Sequence, residues 1–282
     1  MLAPSNASAN EPRTEELPPS PSALAAAWTD LVEGTSKSWM WWAMAVQDIK
    51  MRYRGSVLGP FWLTISMVIL IAALGAIYSR MFKMQISTYL PFLTVGLVIW
   101  NFVSGVMLDG CHTFLTAQHI ITQIRMPFTI HAWRVVCRNL IILAHNVVII
   151  PVVMIAFGVR VGSDVLMLVP ALMILTVNGV WVSILLGMVS ARYRDVPPIV
   201  MSIVNVVFFA TPIFWPPEAI GDWQAYLPFN PMFAAIDVVR APLLGTAPFP
   251  YSWPVLLSVT VLGGLISFAL FVKFRSRIAF WA

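Results

Sequence analysis

Charge is what this sequence has least of. Only 10% of its 282 residues are Asp, Glu, Lys or Arg, where soluble domains carry about 25%. With 59% hydrophobic residues and a mean hydropathy of +0.83, that excludes a water-soluble globular protein and indicates an integral membrane protein. Cys111 and Cys137 are the only cysteines, so no disulfide framework is expected. Several chemistries lack their residues altogether. There is no HExxH helix, no GxSxG elbow and no GxxxxGK[ST] phosphate loop, so no metal, no catalytic residue and no ATP hydrolysis by that route are expected of this chain. The apolar runs hold no carboxylate pair of the kind that ion-coupled transporters keep near the midplane, and no internal repeat is visible. The first residues also lack the charged-then-apolar order of a secretory signal.

What the sequence does have is a series of apolar runs. Six lie at about 61–79, 90–109, 140–159, 165–190, 196–215 and 253–272, each near the 20 or so residues that cross hydrocarbon as a helix. The expected fold is therefore an all-α membrane protein of six transmembrane helices, the domain occupying 55–282. Residues 1–27 are rich in Pro, Ser and Glu, cannot bury a core, and read as a disordered tail. Residues 28–54 concentrate Trp39, Trp41 and Trp42 ahead of Asp48 and Lys50. Trp favours the headgroup level, so this reads as one or two helices, an amphipathic helix lying in the interface or packed on the protein's own flank. Gly59-Pro60 then marks the changeover to the first span, since Pro suits a helix's first position.

Six spans put both termini on one side. With the termini in the cytoplasm, twelve Lys and Arg fall on inner flanks and four, Arg80, Lys83, Arg160 and Arg240, on outer ones. That asymmetry fixes the orientation as termini inside. The net charge of +5 does not indicate nucleic acid, because its cations stand singly at the ends of apolar runs. The inner connection, 111–139, contains an amphipathic stretch around Leu115, His119, Ile120 and Ile124, halted by Pro127. The outer connection, about 216–252, is proline-rich, yet 219–226 and 232–244 are apolar enough for short helices that cannot cross. Irregular backbone at membrane depth has to lie against protein or water.

The stretch from Asp48 to Trp62, with Arg52-Tyr53-Arg54, Ser56 and Leu58-Gly59, resembles the opening signature of the membrane subunits of ABC-2 type polysaccharide exporters, those of O-antigen and teichoic acid. The likeness covers most of the chain from about Trp39 onward and does not choose the glycan. It implies a bacterial inner-membrane permease, a homodimer working with two ABC ATPase subunits that bind the ATP and Mg. The inner loop would carry a coupling helix for that ATPase, with His119, Ile120, Gln123 and Arg125 at the contact. The two outer helices would be re-entrant or gate helices. The cargo would be a polyprenyl-pyrophosphate-linked glycan.

Lys50, Arg52, Tyr53 and Arg54 are then candidates to receive the pyrophosphate, because Arg forms bidentate bonds to phosphate. The same cluster equally suits topology anchoring and ordinary membrane lipids. Phe61, Trp62, Trp100, Phe208, Phe209 and Trp215 are candidates for a glycan path, since aromatic faces stack on sugar C–H faces without demanding a hydroxyl pattern; lipid contact is the plainer role. His145 and Asn146 suit either a helix–helix bond or the glycan. The Arg192-Tyr193-Arg194-Asp195 turn suits an Arg–Asp clamp more than substrate contact. Alternative cargoes are capsule, teichoic acid or small molecules. A membrane-embedded glycan-processing enzyme is a further alternative, for which Asp109, His112 and His119 would be the candidates.

Overall fold

The computed structural model describes residues 22–59 and 61–281. The proline-rich stretch up to residue 21, and the place of Pro60 at the head of the first span, lie outside the described residues. Among those described there is no β-strand. The helices run in order as α1 (Ala23–Ser36), α2 (Ser38–Arg52), α3 (Phe61–Met81), α4 (Ile86–Cys111), α5 (Gln118–Gln123), α6 (Thr129–Val147), α7 (Ile149–Ala156), α8 (Leu168–Arg192), α9 (Val196–Ala210), α10 (Pro231–Leu244), α11 (Ser252–Phe274) and α12 (Ile278–Trp281). Short 3₁₀ stretches at Ser163–Met167, Pro217–Phe229 and Arg275–Arg277 join them.

Five segments are long and apolar enough to cross a membrane: Phe61–Met81, Ile86–Cys111, Thr129–Ala156, Ser163–Arg192 and Ser252–Trp281. α4 is the centre. It is the most enclosed of the five, with α3, α6, α8, α9 and α10 packed around it. Lipid tails are as apolar as the side chains, so this packing rests on van der Waals fit and on polar bonds between helices rather than on escape from water. One such bond joins Asn178 to Thr260 at 3.0 Å, tying α8 to α11.

Three boundaries differ from the sequence reading. The expected span 196–215 stops as a helix at Ala210. Fifteen residues rise only about 22 Å, short of the roughly 30 Å of hydrocarbon. Pro212 forces the residue before it out of helical geometry, and Thr211 is accordingly extended at φ −104°, ψ 135°. The expected span 140–159 begins eleven residues sooner, at Thr129. Its Arg134 and Arg138 look like loop cations in the sequence, but carboxylates from two other helices neutralise them, so the helix can carry them. It breaks between α6 and α7 because Pro151 cannot donate to the carbonyl of Val147. The stretch expected as one or two helices from Trp28 is two, starting five residues sooner at Ala23 and broken at Lys37. The outer connection forms a 3₁₀ stretch from Pro217, kinked at Gly221 with φ 57°, and then α10. Asn230 caps α10 through Met232 N at 3.0 Å, and Gly245 ends it in the left-handed region at φ 68°.

Candidate functional site

Where α9 gives way to extended chain, five aromatic rings from three helices and the extended segment converge. Trp100 of α4 lies 5.7 Å from Phe208 of α9, centroid to centroid. Phe208 lies 5.3 Å from Phe209 and 5.4 Å from Phe214, and Phe214 lies 5.1 Å from Tyr78 of α3. These rings line an open groove of about 430 Å³ whose polar groups are Asn101, Ser104 and Asn205. An aromatic wall with a few amides and a hydroxyl offers stacking surfaces and sparse hydrogen bonding, which suits a ligand with alternating C–H and O–H faces. Of the six aromatics singled out from the sequence, Trp100, Phe208 and Phe209 meet here. Trp215 is adjacent, its indole donating to the Phe209 carbonyl at 3.0 Å. Phe61 and Trp62 are exposed at the start of α3 and line no part of this groove. Phe61 instead meets the His145 ring at 6.4 Å. Phe214 stands out by type as one more aromatic of the run that holds Phe208 and Phe209, whereas Tyr78 is not among the sequence candidates. Tyr78 lies inside the apolar run of α3, and nothing in its local pattern marks it.

The extended segment that brings Phe214 to the groove is held by a residue the sequence counted only as an outer cation. Arg240 of α10 is buried, and donates to the carbonyls of Pro212 at 2.8 Å and Ile213 at 3.3 Å. Its guanidinium sits 3.8 Å from the Phe92 ring centroid, in space left by the missing side chain of Gly96. The Tyr89 hydroxyl donates to the Phe214 carbonyl. These three bonds satisfy carbonyls that the end of α9 would otherwise leave bare, the condition for irregular backbone at depth. Asp237, also buried, accepts from Phe249 N and from the Ser252 hydroxyl, both at 2.7 Å, and so fixes the turn into α11.

At the end carrying α1, α2 and α5, a second polar assembly ties the first two helices to the bundle. Asp48 of α2 accepts from Arg134 Nε at 2.7 Å and from Arg138 at 2.9 Å. Arg138 also reaches Asp109 of α4 at 2.9 Å, and Asn139 donates to the same carboxylate at 3.0 Å. Burial works to raise the Asp48 carboxyl, but the two guanidiniums outweigh it and hold the group below its ordinary value of 3.8. Asp30 of α1 accepts from the backbone of Phe128 and Thr129 at 3.1 and 3.0 Å and from Arg275 at 2.8 Å, capping α6 and gripping the end of α11 together. Trp41 stacks on Trp133 at 5.4 Å. Arg134 and Arg138 stand four apart, one face of a helix; that spacing was the one signal for the clamp in the sequence.

The cationic lead-in residues face the other way. Lys50, Arg52 and Arg54 are exposed on α2 and the turn after it, and none lines the aromatic groove. Tyr53 is half-buried; burial pushes its hydroxyl up, and the neighbouring Arg52 partly offsets this. α5 spans only six residues, and of its candidate contacts His119, Gln123 and Arg125 are exposed and Ile120 half-buried. Asp109, His112 and His119 do not form a constellation. Asp109 is taken by Arg138 and Asn139, His112 bonds its own helix at the Leu108 carbonyl at 3.1 Å, and His119 lies apart on α5. Among the described residues no group of His, Cys, Asp and Glu could hold a metal ion.

Comparison with known proteins gives a consistent picture. The model of the ABC-2 type transporter family matches residues 40–244. The O-antigen export system permease protein RfbA of Myxococcus xanthus is 24% identical over 202 residues, 71% of this chain and 78% of the relative. Two proteins of the same name from Klebsiella pneumoniae are 22% and 24% identical, each over 83% of this chain and 91% of the relative.

Proposed function

The chain belongs to the ABC-2 type transporter family, and we propose that it is the membrane subunit of an ATP-driven O-antigen exporter. The single observation that carries the glycan part of this reading is the aromatic groove between α3, α4 and α9, with Asn101, Ser104 and Asn205 as its polar groups. Stacked rings hold a sugar by its face and release it without breaking a fixed set of bonds, so a polymer can advance.

In this reading α9 and the extended chain after it complete a sixth crossing, leaving both termini on the cytoplasmic side of the inner membrane. The Pro217–Phe229 stretch and α10 form the outer gate. Among the described residues no element covers the faces of α3 and α9 that expose Phe61, Ile69, Met201 and Val206, and a second copy placed there closes two grooves into one passage. Two ATPase subunits dock at α5 and at the Trp-bearing helices α1 and α2, and bind the ATP and Mg. A surface cleft of about 540 Å³ between α1 and the 121–128 stretch, edged by Glu33, Lys37 and Arg125, supports that placement. Lys50, Arg52, Tyr53 and Arg54 receive the pyrophosphate of the polyprenyl-linked glycan at headgroup height. The Asp48 and Asp30 clamps carry motion from the ATPase into α6 and α11, since each joins a docking helix to a span.

Reconstitution in vesicles tests this. With its ATPase and ATP the chain moves lipid-linked O-antigen; without the ATPase it moves none. Export that runs on an ion gradient alone, or that persists without the ATPase, refutes the proposal.

A further inference from the structure

A crevice of about 400 Å³ opens between the ends of α8 and α11, and shares no lining residue with the aromatic groove. Its deeper wall is apolar, formed by Met188 and Val189 of α8 and Leu270 of α11. Met188 lies one helical turn, about 6 Å, inward of Arg192. Its rim is cationic and aromatic, formed by Arg192, Tyr193, Arg277 and Trp281.

The two guanidiniums are held by rings rather than by carboxylates. Arg192 is centred 5.6 Å from both the Tyr193 and the Trp281 rings, and Arg277 is 6.0 Å from the Phe274 ring. Among the described residues no carboxylate lies within ion-pair distance of either. A ring fixes a guanidinium by its face and leaves the N–H edge free to donate. Arg194 donates to the Trp281 carbonyl at 3.5 Å and ties α12 to the rim. Next to Trp281, Phe280 is 89% exposed, a ring that suits the boundary of headgroup and acyl chain.

We propose that this crevice binds an anionic glycerophospholipid, its phosphate held by Arg192 and Arg277 and an acyl chain lying along Met188, Val189 and Leu270. A basic pocket between spans at one face of the bilayer has the chemistry for such a headgroup. The bidentate geometry of arginine with phosphate distinguishes it from diffuse attraction. The apolar wall distinguishes a lipid from a free phosphate. The site acts whatever the cargo, so its failure and the failure of the export reading are separate results.

The test uses the purified full-length chain in phosphatidylcholine nanodiscs, with or without phosphatidylglycerol. Phosphatidylglycerol raises the thermal unfolding midpoint, and native mass spectrometry finds a retained phosphatidylglycerol adduct. In the Arg192→Gln, Arg277→Gln double variant the adduct falls about tenfold, as losing two charge-assisted contacts requires. The variant's midpoint in phosphatidylcholine alone matches the parent's, and the rise is gone. A rise or adduct unchanged in the variant overturns the proposal, as does equal retention of phosphatidylcholine by the parent. Inorganic phosphate alone leaves the midpoint where it was; if it reproduces the rise, the lipid assignment is wrong. Should the double variant not fold, the parent decides. At 1 M salt, which screens diffuse attraction beyond about 3 Å, the phosphatidylglycerol adduct persists, and its complete loss means diffuse attraction only and overturns the site.

Discussion

Asp48 shows how a single carboxylate decides where a helix can run. It neutralises Arg134 and Arg138 at once, and this lets α6 extend eleven residues beyond its apolar stretch. Removing one partner of a buried ion pair costs roughly 3–5 kcal/mol, because the remaining charges stay buried. Asp48→Asn keeps the shape and some hydrogen bonding, so its cost falls near about 3 kcal/mol, read as a lowered unfolding midpoint in detergent. The pH dependence has a definite sign. The folded carboxyl is held below its ordinary 3.8, so its stabilisation is complete above the unfolded value and lost as pH falls through the folded one. The gap between parent and Asp48→Asn midpoints therefore stays constant from neutral to mildly acid pH and closes only below 3.8. Trp100 and Phe208 act at the same scale in the groove. A ring contact is worth about 1 kcal/mol, so Trp100→Ala or Phe208→Ala slows glycan export about fivefold. Phe61→Ala, outside the groove, leaves the rate near the parent's. Equal effects of all three would detach the groove from transport.

Among the elements, α9 is the one whose length matters most. Pro212 ends it early, and Arg240 and Tyr89 take up the carbonyls that follow. Arg240→Met leaves two buried acceptors unpaired, at about 1–3 kcal/mol each. The expected result is a lower unfolding midpoint and faster labelling of a cysteine placed at Ile213 than in the otherwise wild-type chain. If labelling is unchanged, some other group holds the segment. α1 is the complementary case, a helix on the flank that Asp30 ties both to the start of α6 and to Arg275. Gly34 makes that tie possible, since a β-carbon there would meet Thr129 and the backbone of Ile130. Asp30→Ala loses a cap worth about 1–2 kcal/mol and frees α1, which limited proteolysis of the folded protein detects as early cleavage within 23–36.

For the whole molecule the question is how many times the chain crosses. Five segments have the length and apolarity, and α9 has the apolarity without the length. With α9 and its extended continuation crossing, tags at residues 1 and 282 are reached from the same side of the membrane. With α9 folded back, they are reached from opposite sides, and the proposed orientation fails. Site-directed labelling in sealed inverted vesicles separates the two outcomes.

The sequence by itself determined that this is a helical membrane protein. Low charge and long apolar runs leave a polypeptide no other way to satisfy its backbone in lipid, and the stretch around Arg52-Tyr53-Arg54 pointed to the family that the comparison bears out. It also supplied three of the groove's five rings as path candidates, because Trp100, Phe208 and Phe209 stand out by type alone. Tertiary structure decided the rest. Whether Arg134 and Arg138 belong to a loop or a helix depends on Asp48 and Asp109, both at least 29 residues away. Whether Phe214 joins a groove depends on an extended segment that Arg240 stabilises from a different helix. Local pattern sets the apolarity of each helix. Where a charge or an irregular carbonyl can be buried is set by partners that only the fold brings within reach.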